Sequence, residues 1–205
     1  TLCLTLFSAL LYRLTRQQDM VIGMGVAGRE RSELEGLIGF FINILPIRVR
    51  LDAETEIEEL LDQVHRASLE ALERQDYPFD LLVREVSASR GGQRESLVNV
   101  MFEYQRYSDL QQIQRTQPQA DSPQFSLVDL DNFEGAIVHA DPGVGPGAKY
   151  DLTLFVQDEP EGCRLKAEFD RGLLTEQSVS NWLAYLEAFI SGLVEAASRK
   201  DHENI

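Results

Sequence analysis

The chain has 205 residues, of which 43% are hydrophobic and 26% are charged, the composition of an ordinary globular protein. Its 34 acidic side chains outnumber 19 Lys and Arg side chains, which gives a formal net charge of −15. Such a chain offers no basic face to nucleic acid phosphates or to an anionic membrane, so neither partner is expected. The length predicts one domain, and the two cysteines, without metal-ligand spacing or a disulfide framework, favour a reducing cytoplasm.

Apolar runs in the first quarter of the chain predict one helix and two strands. Residues 2–16 are apolar on nearly every side, which predicts a buried helix, and Arg13 interrupts the run too early for a bilayer span. Shorter apolar runs predict strands at 20–26 and 40–49. Pro46 confines the second strand to a sheet edge or to a bulge, because proline has no N–H for a strand ladder.

The clearest helical pattern covers residues 55–74, where apolar side chains fall on one stripe. Thr55 and Glu58 have the spacing of a capping box at its start. The acidic run between 52 and 59 is explained by the positive end of the helix dipole, so it needs no metal ion. Pro78 and its neighbours end this helix and begin a short one that runs to Val86.

The second half of the chain predicts three more strands and a long helix. Residues 96–104 alternate like a strand, and a glutamine-rich stretch at 105–124 predicts a mobile surface loop. Residues 148–157 and 163–170 alternate around a turn and predict a hairpin, and the last helix runs over 175–198. This order predicts an α/β protein of the α+β type, with a mixed β-sheet flanked by helices.

The residues by themselves do not predict a catalytic centre. The three histidines, His65, His139 and His202, are far in sequence from other candidate catalytic groups, so structural or solvated roles are expected. The sequence contains neither a nucleophile elbow nor a zinc-protease motif nor a Walker loop. The glycines of 141–147 lack the strand-to-helix context of a phosphate loop. No catalytic residue and no metal site is therefore predicted.

Three stretches, in order, resemble motifs of nonribosomal peptide synthetase condensation domains. Residues 38–48 (IGFFINILPIR) resemble GxFVNTLxLR, and residues 75–80 (QDYPFD) resemble HQDxPFE, with Arg74 in place of the usual His. Residues 84–102 resemble RDxSRNPLFQVMF, although Ser96, Val98 and Asn99 stand where that motif has Pro, Phe and Gln. The segments FSALLYRLTRQQDMVIGMGVAGR and KYDLTLFVQD, which flank the three motifs, also resemble the family.

The resemblance implies one lobe of a two-lobed fold similar to chloramphenicol acetyltransferase. The family's catalytic motif, HHxxxDG, belongs to the N-terminal lobe and does not occur in this sequence. We therefore expect residues 1–200 to form the C-terminal lobe, with 201–205 as a tail or the start of a linker. A buried helix directly after Thr1 agrees with the interpretation that the chain is a fragment of a longer protein.

The implied function is to form one wall of the tunnel in which two carrier-bound thioesters are joined by a peptide bond. The implied partners are the N-terminal lobe, peptidyl carrier proteins and an adjacent adenylation domain. No cofactor is expected to bind directly, since the substrates are carried on the phosphopantetheine of the carriers. The isolated chain is expected to be inactive. An epimerization domain lobe of the same family and a non-catalytic carrier-docking module remain alternatives.

Three side chains are candidates for the site that the resemblance implies. Asn99 and Asn43 are tunnel-lining candidates, because an amide can hydrogen-bond a thioester or amide carbonyl. A solvated position for Asn99 and a backbone-only partner for Asn43 are the structural alternatives. Arg48 is the candidate for a salt bridge to the Asp of HHxxxDG, with an ordinary exposed arginine as the alternative. A regular strand points Asn43 and Arg48 to opposite faces, so both face the tunnel only if Pro46 marks a bulge.

Removal from the other lobe predicts self-association or local mobility of the isolated chain. A homodimer is the expected form, with residues 40–47 and the 148–170 hairpin as the edges that could pair. The loops at 105–124 and 134–147 are the expected mobile segments.

Overall fold

The computed structural model describes residues 1–28, 33, 37–89, 96–106, 148–159 and 162–203. Within them the strand order of the mixed sheet is β2-β1-β3-β4-β5, and four helices accompany its five strands, which confirms the predicted fold class. In chain order the elements are α1 (Leu2–Thr15), β1 (Asp19–Val26), β2 (Asn43–Arg50), α2 (Ile57–Leu72), α3 (Phe79–Ser89), β3 (Val100–Arg106), β4 (Leu152–Glu159), β5 (Gly162–Phe169) and α4 (Glu176–Glu203).

The chain divides into two compact units, Thr1–Phe102 and Glu103–Ile205. In the first unit, α1 is buried on several sides, as its uniformly apolar sequence predicts, and its Phe7 ring lies 6.3 Å from that of Phe102. Helix α2 packs against β2 and α1 through a stripe that includes the buried Leu60 and Val64. Each such side chain contributes about 1.5–3 kcal/mol when removed from water, so this stripe fixes the position of α2.

Strand β2 is regular and lies at one edge of the sheet, as Pro46 predicts. It pairs antiparallel with β1 without a skipped residue, from Asp19 opposite Arg50 to Val26 opposite Asn43. Beyond the strand, the Leu51 N–H donates to the Gln18 carbonyl at 3.0 Å, so odd-numbered residues of β2 point their backbone groups at β1. Pro46 is even-numbered, and its missing N–H therefore costs the ladder no bond. The predicted edge position is confirmed, and no bulge is present.

The start of α2 differs from the prediction. Its N-cap residue is Glu56, and no side chain makes the cap hydrogen bond. The Thr55 hydroxyl instead accepts from the Asp52 N–H at 3.0 Å and donates to the Asp52 carboxylate at 2.9 Å. The capping box of Thr55 and Glu58 is therefore wrong, because the turn before the helix already uses the threonine. This hydroxyl and the Glu54 N–H hold the pKa of Asp52 below its ordinary value.

The second unit contains the predicted hairpin and the long last helix. Strands β4 and β5 pair antiparallel from Leu152 opposite Phe169, and alternate residues such as Val156 and Leu165 are buried. Helix α4 buries apolar side chains at helical spacing. Its start is capped by Thr175, because the Thr175 hydroxyl accepts from the Ser178 N–H at 3.2 Å.

Several predictions for the second half fall outside the described residues. Gln105 and Arg106 belong to β3, but the rest of the glutamine-rich stretch, the 134–147 loop and His139 lie outside them. Strand β3 begins at Val100, later than the predicted start. Helix α4 continues to Glu203, beyond the predicted start of the tail. Within the described part of the chain, no helix combines the length and hydropathy needed for a membrane span.

Candidate functional site

The first two motifs meet at the side chain of Asn43, the first residue of β2. Its amide nitrogen donates to the backbone carbonyls of Gln75 at 2.7 Å and of Tyr77 at 2.8 Å. Its amide oxygen accepts from the Phe79 N–H at 3.1 Å. Both amide N–H groups are therefore used by backbone of the turn between α2 and α3. Asn43 fixes the QDYPFD turn against the entrance of β2.

The same turn is tied to α3 by Tyr77. The Tyr77 hydroxyl donates to the Glu85 carboxylate at 2.7 Å, and this bond to an acceptor raises the pKa of Tyr77. Helix α3, which the structure describes in full, has no fully buried residue. The short helix is thus positioned at its start by polar contacts of the second motif, with apolar packing that is only partial.

Arg48 lies on the other face of β2 and binds a carboxylate of its own chain. Its guanidinium makes two bonds to Asp19, from Nε at 2.8 Å and from Nη2 at 2.6 Å. Arg50 adds a third contact to the same carboxylate at 3.3 Å. The Arg48 hydrogen bond is the main reason that the pKa of Asp19 falls from 3.8 to about 2. Both side chains are about half exposed, at 59% for Arg48 and 46% for Asp19.

Asn99 is exposed and lies directly before β3, beside the start of β1. It lines an open cavity of about 230 Å³ together with Thr15, Gln17 and Asp19. This volume is below the roughly 300 Å³ at which small-molecule pockets usually begin. The cavity can therefore hold part of a substrate, such as one polar group, but encloses no complete ligand by itself.

The structure does not bring the three predicted side chains into one pocket within the described residues. Asn43 and Arg48 point to opposite faces of a regular strand, as the parity of β2 predicts. Asp19 links Asn99 to Arg48, because Asp19 lines the same cavity as Asn99 and its carboxylate binds the Arg48 guanidinium. Sequence reasoning missed Asp19. The signal was an ion-pair pattern. Asp19 lies beside the start of one predicted strand, and two arginines lie near the end of the next.

An apolar segment directly precedes β2 and includes the start of the first motif. Leu37, Ile38, Phe40 and Ile42 are all exposed, Ile38 completely and Phe40 to 84%. At the same place Gly28 has a φ of +62° and its α-carbon lies against the Phe41 carbonyl, where a β-carbon would collide. An exposed apolar run of this kind is a feature of interaction surfaces and binding grooves.

The remaining polar and titratable side chains of interest lie at separate positions among the described residues. Glu103 in β3 is half-buried, and burial raises its pKa. In the second unit the Gln157 amide donates to the Gln105 amide oxygen at 2.9 Å. His65 is exposed, with Nδ1 3.4 Å from the Thr1 hydroxyl. Among the described residues no group of three His, Cys, Asp or Glu side chains could hold a metal ion.

Comparison with known proteins gives one consistent family. The family described as Condensation domain matches residues 1–204. Malpinin synthetase of Mortierella alpina is 32% identical over 187 residues, covering 91% of this chain and 2% of its own length. Phosphinothricin tripeptide synthetase PhsB of Streptomyces viridochromogenes is 33% identical over 175 residues, covering 85% of this chain and 13% of its own length.

Solved structures show the same fold. A four-domain nonribosomal peptide synthetase solved with AMP and glycine has a TM-score of 0.70 at 24% identity, over 95% of this chain and 14% of that one. The condensation domain of the Monacolin K polyketide synthase has a TM-score of 0.62 at 17% identity, over 93% of this chain and 40% of that one. The chain thus spans a small part of its curated relatives, and two fifths of that solved condensation domain.

Proposed function

The chain belongs to the condensation domain family, and we propose that it forms the C-terminal lobe of such a domain in a nonribosomal peptide synthetase. The main support is that the family match covers residues 1–204, while the chain spans only 40% of a solved condensation domain. The missing HHxxxDG motif and the order of the three motifs in the sequence also support this assignment.

In this proposal the lobe is one wall of a tunnel into which carrier proteins deliver thioesters on phosphopantetheine arms. An amine on one carrier attacks the thioester on the other, and the peptide bond forms as the thiol leaves. The contribution of the lobe is to position two tethered reactants, which lowers the entropic part of the barrier. The proton-accepting histidine would come from the HHxxxDG lobe, so the isolated chain is expected to be inactive.

Asn99 is the side chain of this lobe that we assign to the substrate. Its amide is exposed in the cavity beside Asp19 and can donate to a thioester or amide carbonyl. Asn43 has a supporting role in the proposal. Its two N–H groups are bound to the carbonyls of Gln75 and Tyr77, so Asn43 holds the second motif in place. It has no free N–H group with which to bind a substrate in the tunnel.

Arg48 is proposed to reach the Asp of the HHxxxDG lobe while Asp19 orients it. Asp19 binds the Nε and Nη2 edge of the guanidinium, and the edge formed by Nη1 can meet a second carboxylate. The exposed apolar side chains of Leu37, Ile38, Phe40 and Ile42 supply a further contact for the N-terminal lobe. Such a contact removes from water the apolar surface that the isolated chain exposes.

A chimaera tests the proposed function. Residues 1–204 replace the matching segment of the four-domain synthetase, and the chimaera is supplied with two carrier proteins loaded with aminoacyl groups. We expect dipeptide from the chimaera and none above background from the isolated chain. Asn99→Ala in the chimaera is expected to slow condensation about tenfold or more, because it removes one hydrogen bond to the reacting group.

Asn181→Ala is the matched control, since it is the same replacement at an exposed position of α4 that does not belong to the described lining of the cavity. A chimaera that melts cooperatively and yet forms no dipeptide would contradict the proposal. In that case the configuration of the carrier-bound aminoacyl group is measured. Its inversion would identify an epimerization lobe, and unchanged substrates with retained carrier binding would identify a docking module.

A further inference from the structure

The first unit contains a crevice where β1 and the segment before β3 separate. Strand β1 pairs with β2 over its whole length, but it pairs with β3 only from Ile22 opposite Val100 onwards. Residues 96–99 therefore lie outside the ladder beside the first half of β1. The space between them is the cavity of about 230 Å³ that Asn99 lines, and residues of α1 also line it. We call this cavity the β1–β3 crevice.

The lining of the β1–β3 crevice is apolar in its interior and polar at its mouth. Three buried side chains of the core belong to the lining, namely Leu11, Met20 and Ile22. Val21 and Leu97 are half-buried, so part of each side chain faces the open space. The polar residues of the lining are all exposed: Thr15, Gln17, Asp19, Ser96 and Asn99. Such a lining fits a chemical group that has one apolar end and one polar end.

Two side-chain amides at the mouth are available to the polar end of such a group. The hydroxyls of Thr15 and Ser96 donate to backbone carbonyls of their own segments at 2.8 and 2.7 Å. The Asp19 carboxylate is bound by arginine. Among the residues that the structure describes, the side-chain amides of Gln17 and Asn99 have no hydrogen-bond partner. Because each amide offers both donors and an acceptor, the pair can bind a carbonyl together with an N–H group.

The volume of the β1–β3 crevice fits one aliphatic aminoacyl group. At about 30 Å³ per non-hydrogen atom, the volume of a water molecule in the liquid, the eight such atoms of a leucyl group need about 240 Å³. By the same estimate the eleven atoms of a phenylalanyl group need about 330 Å³, more than the crevice offers. A charged side chain is disfavoured, because it would lose its hydration against Leu11 and Met20.

We propose that the β1–β3 crevice holds the aliphatic side chain of one carrier-bound aminoacyl group, and that Val21 sets the size of the side chain it accepts. The inference rests on the proposed condensation function, in which Asn99 binds the carbonyl of that group. Val21 is level with Asn99, because the next residues of the two segments, Ile22 and Val100, are opposite each other. A side chain that extends from a carbonyl at Asn99 into the apolar interior therefore passes Val21.

Binding is measured on the full 205-residue chain by NMR of its methyl groups, with N-acetyl-leucine methylamide as the probe. We expect the signals of Val21 and Leu97 to shift and to saturate with a Kd of about 1–20 mM, the affinity of a fragment with about eight bound atoms. The glycine analogue lacks the aliphatic carbons and is expected to bind about tenfold more weakly or worse. The phenylalanine analogue is also expected to bind more weakly than the leucine probe, because it exceeds the volume of the crevice.

Two variants of Val21 make the test specific. Val21→Ala widens the crevice by two carbon atoms and is expected to improve the binding of the phenylalanine analogue, relative to the leucine probe, about fivefold or more. Val21→Phe fills the crevice and is expected to abolish binding of the leucine probe. Val86→Phe, the same replacement at a half-buried position of α3 outside the described lining, is the control and should leave binding unchanged. In the chimaera, with each carrier loaded in turn, Val21→Ala should raise the rate for phenylalanyl relative to leucyl groups by a similar factor.

The outcomes separate this inference from the proposed function. Unshifted signals of Val21 and Leu97 at about 50 mM leucine probe would overturn the inference, as would equal binding of the glycine analogue. Retained binding in a Val21→Phe chain that melts cooperatively would overturn it too. A chimaera that forms dipeptide, with the same preference in Val21→Ala, would refute the role of Val21 and leave the proposed function intact. Selective binding of the leucine probe without any dipeptide from the chimaera would support the crevice and contradict the proposed function.

Discussion

Asn43 begins β2 and Asn99 directly precedes β3; both residues lie in the first unit, and their amides have two different roles. Asn43 is half-buried and makes three hydrogen bonds to the backbone between α2 and α3. Asn99 is exposed and lines a cavity. A buried amide without partners costs about 1–3 kcal/mol, so only the first position requires fixed partners within the chain. The comparison separates a side chain that holds two motifs together from one that is available to a ligand.

The largest expected effect is that of Asn43→Ala on stability. The substitution leaves the carbonyls of Gln75 and Tyr77 and the N–H of Phe79 without the Asn43 amide as a partner. Some of these backbone groups then form hydrogen bonds to water instead. We expect the free energy of unfolding to fall by about 1–3 kcal/mol in urea denaturation of the isolated chain. A loss below about 0.5 kcal/mol would mean that the turn is held by other contacts. The structural role assigned to Asn43 would then be wrong.

Asn99→Ala is expected to have the opposite profile in the isolated chain. Because the side chain is exposed, the free energy of unfolding should change by less than about 0.5 kcal/mol. In the chimaera, Asn99→Gln should restore the condensation rate that Asn99→Ala loses, since Gln is the residue that the resembling motif has there. A large loss of stability with Asn99→Ala would place this amide in the same structural class as Asn43.

The smallest expected effect concerns the ion pair between Asp19 and Arg48. The pKa of Asp19 is lowered from 3.8 to about 2, so the pair stabilises the folded chain above about pH 4 and its contribution disappears as the pH falls towards 2. In Arg48→Gln, an NMR titration should show the pKa of Asp19 returning towards 3.8. Arg66→Gln, on the exposed side of α2, is the control and should leave that pKa unchanged. If the pKa of Asp19 stayed at about 2 in Arg48→Gln, Arg50 alone would be holding the carboxylate.

Local patterns predicted most elements because each follows from the chain's own periodicity. The uniformly apolar run of α1, the stripe of α2 and the alternation of the β4–β5 hairpin require burial in one particular secondary structure. The start of α2 was predicted wrongly for a local reason as well. Thr55 could cap the helix or bind the preceding turn, and the Asp52 carboxylate, which offers a strong acceptor, decided between them.

The residue types and sequence positions of the candidate site could be predicted, but the groups that these side chains contact could not. The family motifs, the edge position of Pro46 and the opposite orientation of Asn43 and Arg48 follow from the residues alone, because strand parity and proline chemistry are local. Only tertiary packing fixes that Asn43 binds the QDYPFD turn, that Arg48 binds Asp19, and that the Gln63 amide binds the backbone of Arg50. These contacts depend on the register between distant segments, which is set by packing of the whole unit and is written in no single stretch of the chain.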